Sequence, residues 1–390
     1  MKEKLIRITT LPASMGGLLR GQLLFMTQYY EVIGISSPTG NNSTAIDNMD
    51  QVGKDQNTRM IPIAMTRKIT PLQDLKATWE LYKTFKKEKP LIVHSHTPKA
   101  GTLGMFAAYL ARVPNRLHTV AGLPLLEVTG SKRILLDFVE KLTYACATKV
   151  YPNSFGLKDI IIANKYTSAK KLKVIGQGSS NGVDTSFFDP NLYTTEDKIN
   201  LRKDIGITKE DYVFIFIGRL VTDKGINELV SAFEKLNQKY TNTKLLFVGS
   251  REEELDPLHS NTETILKNNK NIIMVGSQSN VKPYYAMADS LVFPSYREGF
   301  PNVVMEAGAM GLPSIVSNIN GCNEIILENK NGYIIPVKNS EAIQEKMQVL
   351  YLGHQKGESF NADTIRDLIA SRYGRKVIWE EILKEYQSLN

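Results

Sequence analysis

Cysteine is almost missing: two in 390 residues, Cys146 and Cys322, which match neither a disulfide framework nor a zinc-site spacing. No apolar run approaches the roughly 18 residues a bilayer demands, and the opening MKEKLIRITTLPAS carries charges where a secretion signal needs an apolar core. The expectation is a chain that neither spans a membrane nor is exported, working in a reducing cytoplasm. Short-period repeats and low-complexity blocks are also missing, which disfavours solenoids and propellers.

What remains is the composition of an ordinary globular protein, 42% apolar and 23% charged with a mean hydropathy of -0.22. That excludes fold-scale disorder, and the length implies at least two cores. The net charge of +8 is unevenly spread. Residues 1–190 hold 25 Lys/Arg against 14 Asp/Glu, and residues 191–390 hold 23 against 26. A basic first half suits a solvated face, nucleic acid, an anionic lipid surface or a phosphorylated substrate.

Short β-rich runs alternate with helical patterns along the first half: KLIRITT, a helix from about Gly17, EVIGISS, a helix after Pro71, LIVHSH, a helix over 100–112, RLHTVA, an amphipathic stretch over 132–148, then KVYPNS and KLKVIG. This pattern predicts a mostly parallel sheet covered on both faces. The polar segment 38–57 reads as a loop, and GQGSSNGVD at 176–184 as a hinge. After a helix around 195–205 the alternation restarts with YVFIFIGR, KLLFVGS, NIIMVGS, SLVFPS and PSIVS. The fold class expected is therefore α/β with two doubly wound, Rossmann-like domains, residues 1–185 and 186–372. A C-terminal helix over 373–390 is expected to cross back to the first domain and pack on both.

Ligands of such sheets bind beyond the carboxyl ends of strands, near helix N-termini. Five loops there carry unusual residues, and because they come from both halves they suggest a cleft between domains. Gly16 and Gly17 follow the first strand without the G-x-G-x-x-G spacing or a Walker lysine, so they mark either a close backbone approach to a ligand or a tight turn. In GRLVTDKG, Arg219 and Lys224 are either two solvated cations or a receptor for a diphosphate, the fork orienting and the ammonium adding charge. SYREGFPNVVMEAGAMGLP is the most specific stretch. Glu298 lies in a loop, Glu306 about one turn into the next helix, and the loop amides of Gly299 to Val303 stand over the ligand. Two carboxylates beside phosphate-attracting cations accept hydroxyl donors, which points to a sugar nucleotide. His94 and His96 alternate at a strand end without the extra ligands a metal needs, and Lys99 opens the following helix, where it can meet an anionic acceptor. Val275, Gly276 and Ser277 form either a plain strand-to-helix loop or a place where backbone groups meet a flat base.

GRLVTDKG followed by EGFPNVVMEA, with the N-terminal glycine loop and the hinge SNGVD, resembles the retaining glycosyltransferases of family 4 over essentially the whole chain. HSHTPKAG, EKLTYACATKVYPNS and IGQGSSNGVD resemble the branch that builds bacterial capsular and O-antigen glycans on undecaprenyl diphosphate. The resemblance implies a GT-B fold, a UDP-sugar donor held mainly by the second domain, a polyprenyl-diphosphate-linked acceptor, and no metal or other cofactor. It assigns the donor diphosphate to Arg219 and Lys224, sugar hydroxyls to Glu298, ribose hydroxyls to Glu306, and donor contacts to Gly17, Val275, Ser277, Gly299, Phe300, Asn302 and Val303. Gly16, His96 and Lys99 go to the acceptor, and Arg219, Lys224 and Glu298 carry the catalytic role. In one departure, Ala121 in HTVAGLP stands where family members place a functional histidine, so His118, Glu127 or another side chain must supply that contact, or it is dispensed with. Peripheral attachment to the anionic inner leaflet through the basic first domain is also expected. The rivals are a sugar-nucleotide epimerase or hydrolase sharing the diphosphate grip, and a basic nucleic-acid-binding protein; the latter lacks aromatic interleaving and any reading motif.

Overall fold

YVFIFI at Tyr212–Ile217 buries all six side chains, the signature of a central strand covered on both faces. The computed structural model describes residues 2–38, 48–66, 68–123, 125, 128–252 and 256–389. Unit 1 comprises Met1–Asn181 with Lys376–Asn390, and unit 2 comprises Gly182–Arg375.

Unit 1 carries β1 (Lys4–Ile8), β2 (Glu31–Ser36), β3 (Arg59–Pro62), β4 (Ile92–Ser95), β5 (Asn115–Val120) and β6 (Lys149–Pro152). Unit 2 carries β7 (Tyr212–Ile217), β8 (Thr243–Val248), β9 (Ile272–Met274), β10 (Ser290–Phe293), β11 (Ser314–Ser317) and β12 (Gly332–Ile335). The sheets run β3-β2-β1-β4-β5-β6 and β12-β11-β10-β7-β8-β9. Every pairing is parallel, as where Leu5 faces Ile92 and Ile215 faces Leu291. Both sheets thus show the same doubly wound order, with its reversal between β1 and β4 in unit 1 and between β7 and β10 in unit 2. Those crevices are where ligands of this architecture bind.

Several sequence expectations change in detail. KLKVIG makes a single bridge, Leu172 to Val150, before the chain turns at Gly176 and Gly178, both with positive φ, so it is not a strand. Within 38–57, residues 39–47 lie outside the described residues. Met49–Asp55 is a helix rather than a loop, capped by Asn48, whose Oδ1 accepts from the Asp50 and Gln51 N–H groups. The helix expected from Gly17 is two pieces, a π-helical turn Ser14–Leu18 and a helix Gln22–Met26, separated by Gly21 at φ +80° against the Trp379 ring. The short edge strands β3 and β12 had no clear sequence signal.

Boundaries expected at 185/186 and 372/373 fall instead after Asn181 and Arg375. Val183 N–H donates to the Tyr373 carbonyl, Arg375 N–H donates to the Val183 carbonyl, and Arg375 pairs with Asp184 at 2.7 Å. These bonds tie both crossing segments into unit 2. Tyr373 closes the helix Ala362–Tyr373, and a separate helix, Arg375–Gln387, lays Ile378, Ile382, Leu383 and Tyr386 into a unit 1 core with Leu5, Leu23 and Tyr151. Ile382 is 4% exposed there. Ile382→Ala should lower unit 1 stability by about 2–5 kcal/mol, read as a leftward shift in its denaturant midpoint.

Candidate active site

The loops after β7 and β10 meet at the unit 2 crevice because of one glycine. Gly225 has φ +71°, and a Cβ there would stand 2.2 Å from the Pro294 carbonyl oxygen. Only glycine lets the turn Thr222–Lys224 close onto the end of β10. Lys224 Nζ then lies 2.6 Å from Glu298 Oε1, the two side chains only 14% and 18% exposed. Ser295 Oγ donates to the same oxygen at 3.0 Å, and Asn320 Nδ2 donates to the Glu298 carbonyl at 2.5 Å and the Gly299 carbonyl at 3.3 Å. Both ends of the acidic loop are therefore held. Gly321 is pressed against the Gly299 carbonyl, where a Cβ would approach to 2.6 Å.

Arg219 reaches the same region from the other side of its loop. Its hydrogen bond to Glu252, 2.7 Å long, raises its pKa first, and Glu252, Asp223 and Glu298 add attraction at longer range. Its guanidinium, 48% exposed, is paired with Glu252 at the surface, whereas Lys224 is paired with Glu298 and largely buried.

The helix Asn302–Ala309 begins beside this cluster, as PN in the sequence suggested, and its first N–H groups lack intrahelical acceptors. Phe300 packs edge-on against Tyr373. Val303 offers its carbonyl to Tyr285 Oη at 3.1 Å, and the same hydroxyl lies 3.1 Å from Glu306 Oε2. Burial drives the Glu306 carboxyl up to about 7, against the opposing pull of Tyr285 and the Arg375 charge. On the neighbouring loop, the Val275 N–H is used by the Phe247 carbonyl, and its own carbonyl accepts from Gln278 at 2.7 Å. Ser277 is exposed after it.

In unit 1 the corresponding loops follow β1 and β4 and are tied by Thr10 and Thr97, whose hydroxyls are 2.7 Å apart. Gly16 is buried in the π-helical turn, whereas a side chain on Gly17 would meet nothing within 4 Å. Neither packing nor backbone angle demands glycine at 17. Lys99 is paired with Asp74 at 2.5 Å, 13% exposed. His96 is buried beside Arg7, whose Nε donates to His96 Nε2 at 2.9 Å. His118 is a core residue bonded to Ser95 Oγ at 2.9 Å, its ring filling the space a Cβ on Gly101 would occupy. It therefore does not replace the side chain missing at exposed Ala121, and Glu127 lies outside the described residues.

Of the residues singled out in the sequence, the structure joins Lys224 to Glu298 directly and Val303 to Glu306 through Tyr285, while Arg219 is held on Glu252. Sequence reading missed Ser295, Asn320 and Tyr285, which orient them; their partners are 3 to 22 positions away, and no motif spacing announces them. Among the described residues no group of three or more His, Cys, Asp and Glu is disposed to hold a metal ion.

Two family models match the chain: "Glycosyl transferase 4-like" over residues 27–154 and "Glycosyl transferases group 1" over 197–365. The capsular polysaccharide biosynthesis glycosyltransferase CapM of Staphylococcus aureus is 32% identical over 386 residues, covering 99% of this chain and 97% of that protein. An Escherichia coli enzyme named UDP-Gal:alpha-D-GlcNAc-diphosphoundecaprenol alpha-1,3-galactosyltransferase is 32% identical, covering 71% of this chain and 70% of that one. Among solved structures, Anabaena Alr3699/HepE in complex with UDP and glucose superposes with a TM-score of 0.79 at 17% identity, covering 99% of this chain and all of that one.

The raised Glu306 pKa has a measurable sign. Its stabilising contribution is complete below the ordinary carboxyl value of 4.5 and is lost as pH rises through about 7. Denaturant titrations across that window should show wild type losing stability relative to Glu306→Gln. Parallel curves would place the carboxyl in an ordinary environment.

Proposed function

The chain belongs to the group 1 and 4-like glycosyl transferases and is a glycosyltransferase, and from that premise we propose that it moves a sugar from a UDP-sugar to a saccharide carried on a polyprenyl diphosphate, for bacterial surface polysaccharide. The observation that carries this reading is the Lys224–Glu298 pair at the switch point of the unit 2 sheet, beside a helix N-terminus. Support for the acceptor class comes from relatives whose names specify undecaprenyl-diphosphate sugars.

In this reading Lys224 and Arg219 receive the diphosphate, the first as a point charge and the second as a planar fork, each shared with its carboxylate partner. As the sugar–phosphate bond breaks, negative charge grows on the leaving phosphate, so both cations and the helix N-terminus gain strength in the transition state. They take the place a metal ion fills elsewhere. Glu298, with Oε1 engaged by Lys224 and Ser295, turns its other oxygen to sugar hydroxyls. Glu306 accepts from the ribose. The acceptor hydroxyl attacks on the face the nucleotide leaves, its proton passing to a phosphate oxygen, and anomeric configuration is retained. Gly17 admits substrate where any side chain would stand in the way.

Wild type should release UDP from a matching UDP-sugar only when a lipid-linked saccharide is supplied; release without acceptor would favour the hydrolase reading. Lys224→Ala should cut kcat by about 10²–10³. Gly17→Ala should keep or raise the melting temperature, as alanine suits a helical turn better, yet lose turnover. An active Gly17→Ala enzyme would remove that position from the site.

Peripheral membrane attachment through unit 1 belongs to the same proposal. No helix among the described residues is long and apolar enough to cross a membrane. The helix Pro71–Glu88 buries Ala77, Leu81 and Phe85 but exposes Leu72 at 86%, Leu75 at 68% and Trp79 at 58%. The helix Gly130–Cys146 exposes Ile134, Leu135 and Phe138, and the helix Pro98–Leu110 packs against both. Lys68 and Lys76, and Lys132 and Lys141, are exposed near these residues in sequence. Apolar groups flanked by ammonium groups suit an anionic leaflet, each lysine worth about 1 kcal/mol near its surface. Leu72→Glu with Leu75→Glu should abolish co-sedimentation with phosphatidylglycerol vesicles without changing UDP affinity. Equal sedimentation would rule this face out.

A further inference from the structure

Arg7 is fully buried, yet among the described residues no carboxylate pairs with it; its partners are His96, Tyr386 and Gln22, all uncharged. An arginine in such a place can only donate, so each of its partners accepts from it. Tyr386 Oη accepts from Arg7 at 3.0 Å, and with His94 Nδ1, 2.5 Å away, its other partner, its buried proton is satisfied by going there. His94 Nε2 must then carry the ring's proton and donate to Thr119 Oγ1 at 2.8 Å. On the second branch His96 Nε2 accepts from Arg7, which puts the His96 proton on Nδ1. Burial holds both imidazoles far below their usual pKa, so each has one proton to place.

Both branches end at one cavity of about 10 Å³, lined by His94, His96, Thr119, Asn153 and Ser180 with others. His96 Nδ1, 95% of whose residue surface is buried, has no partner there, nor do Asn153 Oδ1 and Ser180 Oγ. The Thr119 hydroxyl, already accepting from His94, has its proton left to give. An Asn153 amide flip sacrifices only a 3.5 Å bond to the Ala121 carbonyl and turns another donor inward. The cavity lies where β4, β5 and β6 end, on the ligand edge of the sheet. It has room for about one oxygen atom.

We propose that this cavity receives one phosphate oxygen, held by His96 Nδ1–H and Thr119 Oγ–H with the Arg7 charge behind them. The rest of the phosphate stays outside the mouth. This assignment rests on the reading of unit 1 as the acceptor-holding half and gives it a chemistry: the group recognised is the phosphate of the lipid-linked acceptor. Arg7, His94 and Tyr386 are positioning residues.

Long-range ¹H–¹⁵N spectra of full-length protein labelled at its five histidines test this directly. His96 should be the Nδ1–H tautomer. Inorganic phosphate should shift it saturably while chloride at matched ionic strength does not, and vesicles carrying a saccharide on polyprenyl diphosphate should do so at lower phosphate concentration than the free ion. Thr119→Val should weaken the phosphate response about tenfold, the loss of one hydrogen bond to an anion, with UDP affinity intact. Within turnover assays it should raise the acceptor KM and leave the donor KM alone. An Nε2–H tautomer, silence toward phosphate because the cavity holds only water, or a response to UDP in place of acceptor would each overturn the proposal. A phosphate response in a protein that transfers no sugar would uphold the site and sink the glycosyl-transfer reading; the converse result would do the reverse.

Discussion

A lysine held against a glutamate at the reversal point of a parallel sheet is the constraint on which unit 2 depends. Bringing Lys224 and Glu298 within 2.6 Å requires the turn after β7 to lie directly on the end of β10, and that approach is possible only because residue 225 has no side chain. Ser295 and Asn320 then fix the acidic loop from two further directions. The pair is thus fixed by backbone geometry; under the proposed reading, a diphosphate would meet a lysine already positioned, the condition for electrostatic stabilisation of a leaving group.

Charge is managed differently in the two units. Unit 2 places cation beside carboxylate, each tempering the other's charge. Unit 1 buries a guanidinium among neutral groups and lets oriented hydroxyl and imidazole dipoles carry its influence outward. Burying a charge without a counter-charge costs several kcal/mol, so its retention argues for use rather than packing. Lys99, by contrast, is matched by Asp74 and adds little net field.

The parts of this molecule legible in sequence were those written in short-range code. Short β-rich runs gave β1, β4, β7, β8 and β10, most plainly the near-continuous apolar YVFIFI of β7, since a strand covered on both faces shows no alternation. EGFPNVVMEA declared its loop, its helix start and both carboxylates within nine residues. Edge strands β3 and β12 escaped because partial exposure dilutes the pattern, and KLKVIG misled because β propensity says nothing of whether a neighbouring strand continues. The helix expected to begin at Gly17 is interrupted because Gly21 turns under Trp379, a contact spanning most of the chain's length.

Residue roles failed to show for the same reason. Tyr285 and Glu306 are 21 positions apart, and Arg7 and Tyr386 are 379 apart. Nothing in a linear pattern distinguishes a tyrosine that orients a carboxylate from one that fills a core. Nor does the pattern HSH say that its two histidines hold opposite tautomers. That follows from a donor that cannot accept: with Arg7 donating, placing the Tyr386 proton on His94 and the His96 proton on Nδ1 meets every bond in the chain from Arg7 to Thr119 and leaves His96 Nδ1 without a partner. The C-terminal helix that supplies Tyr386 therefore does more than cover apolar surface. By closing the circuit around Arg7 it sets which atoms at the ends of β4 and β5 can greet a ligand, so the last turn of the chain and the first strand jointly define the polarity of the unit 1 crevice.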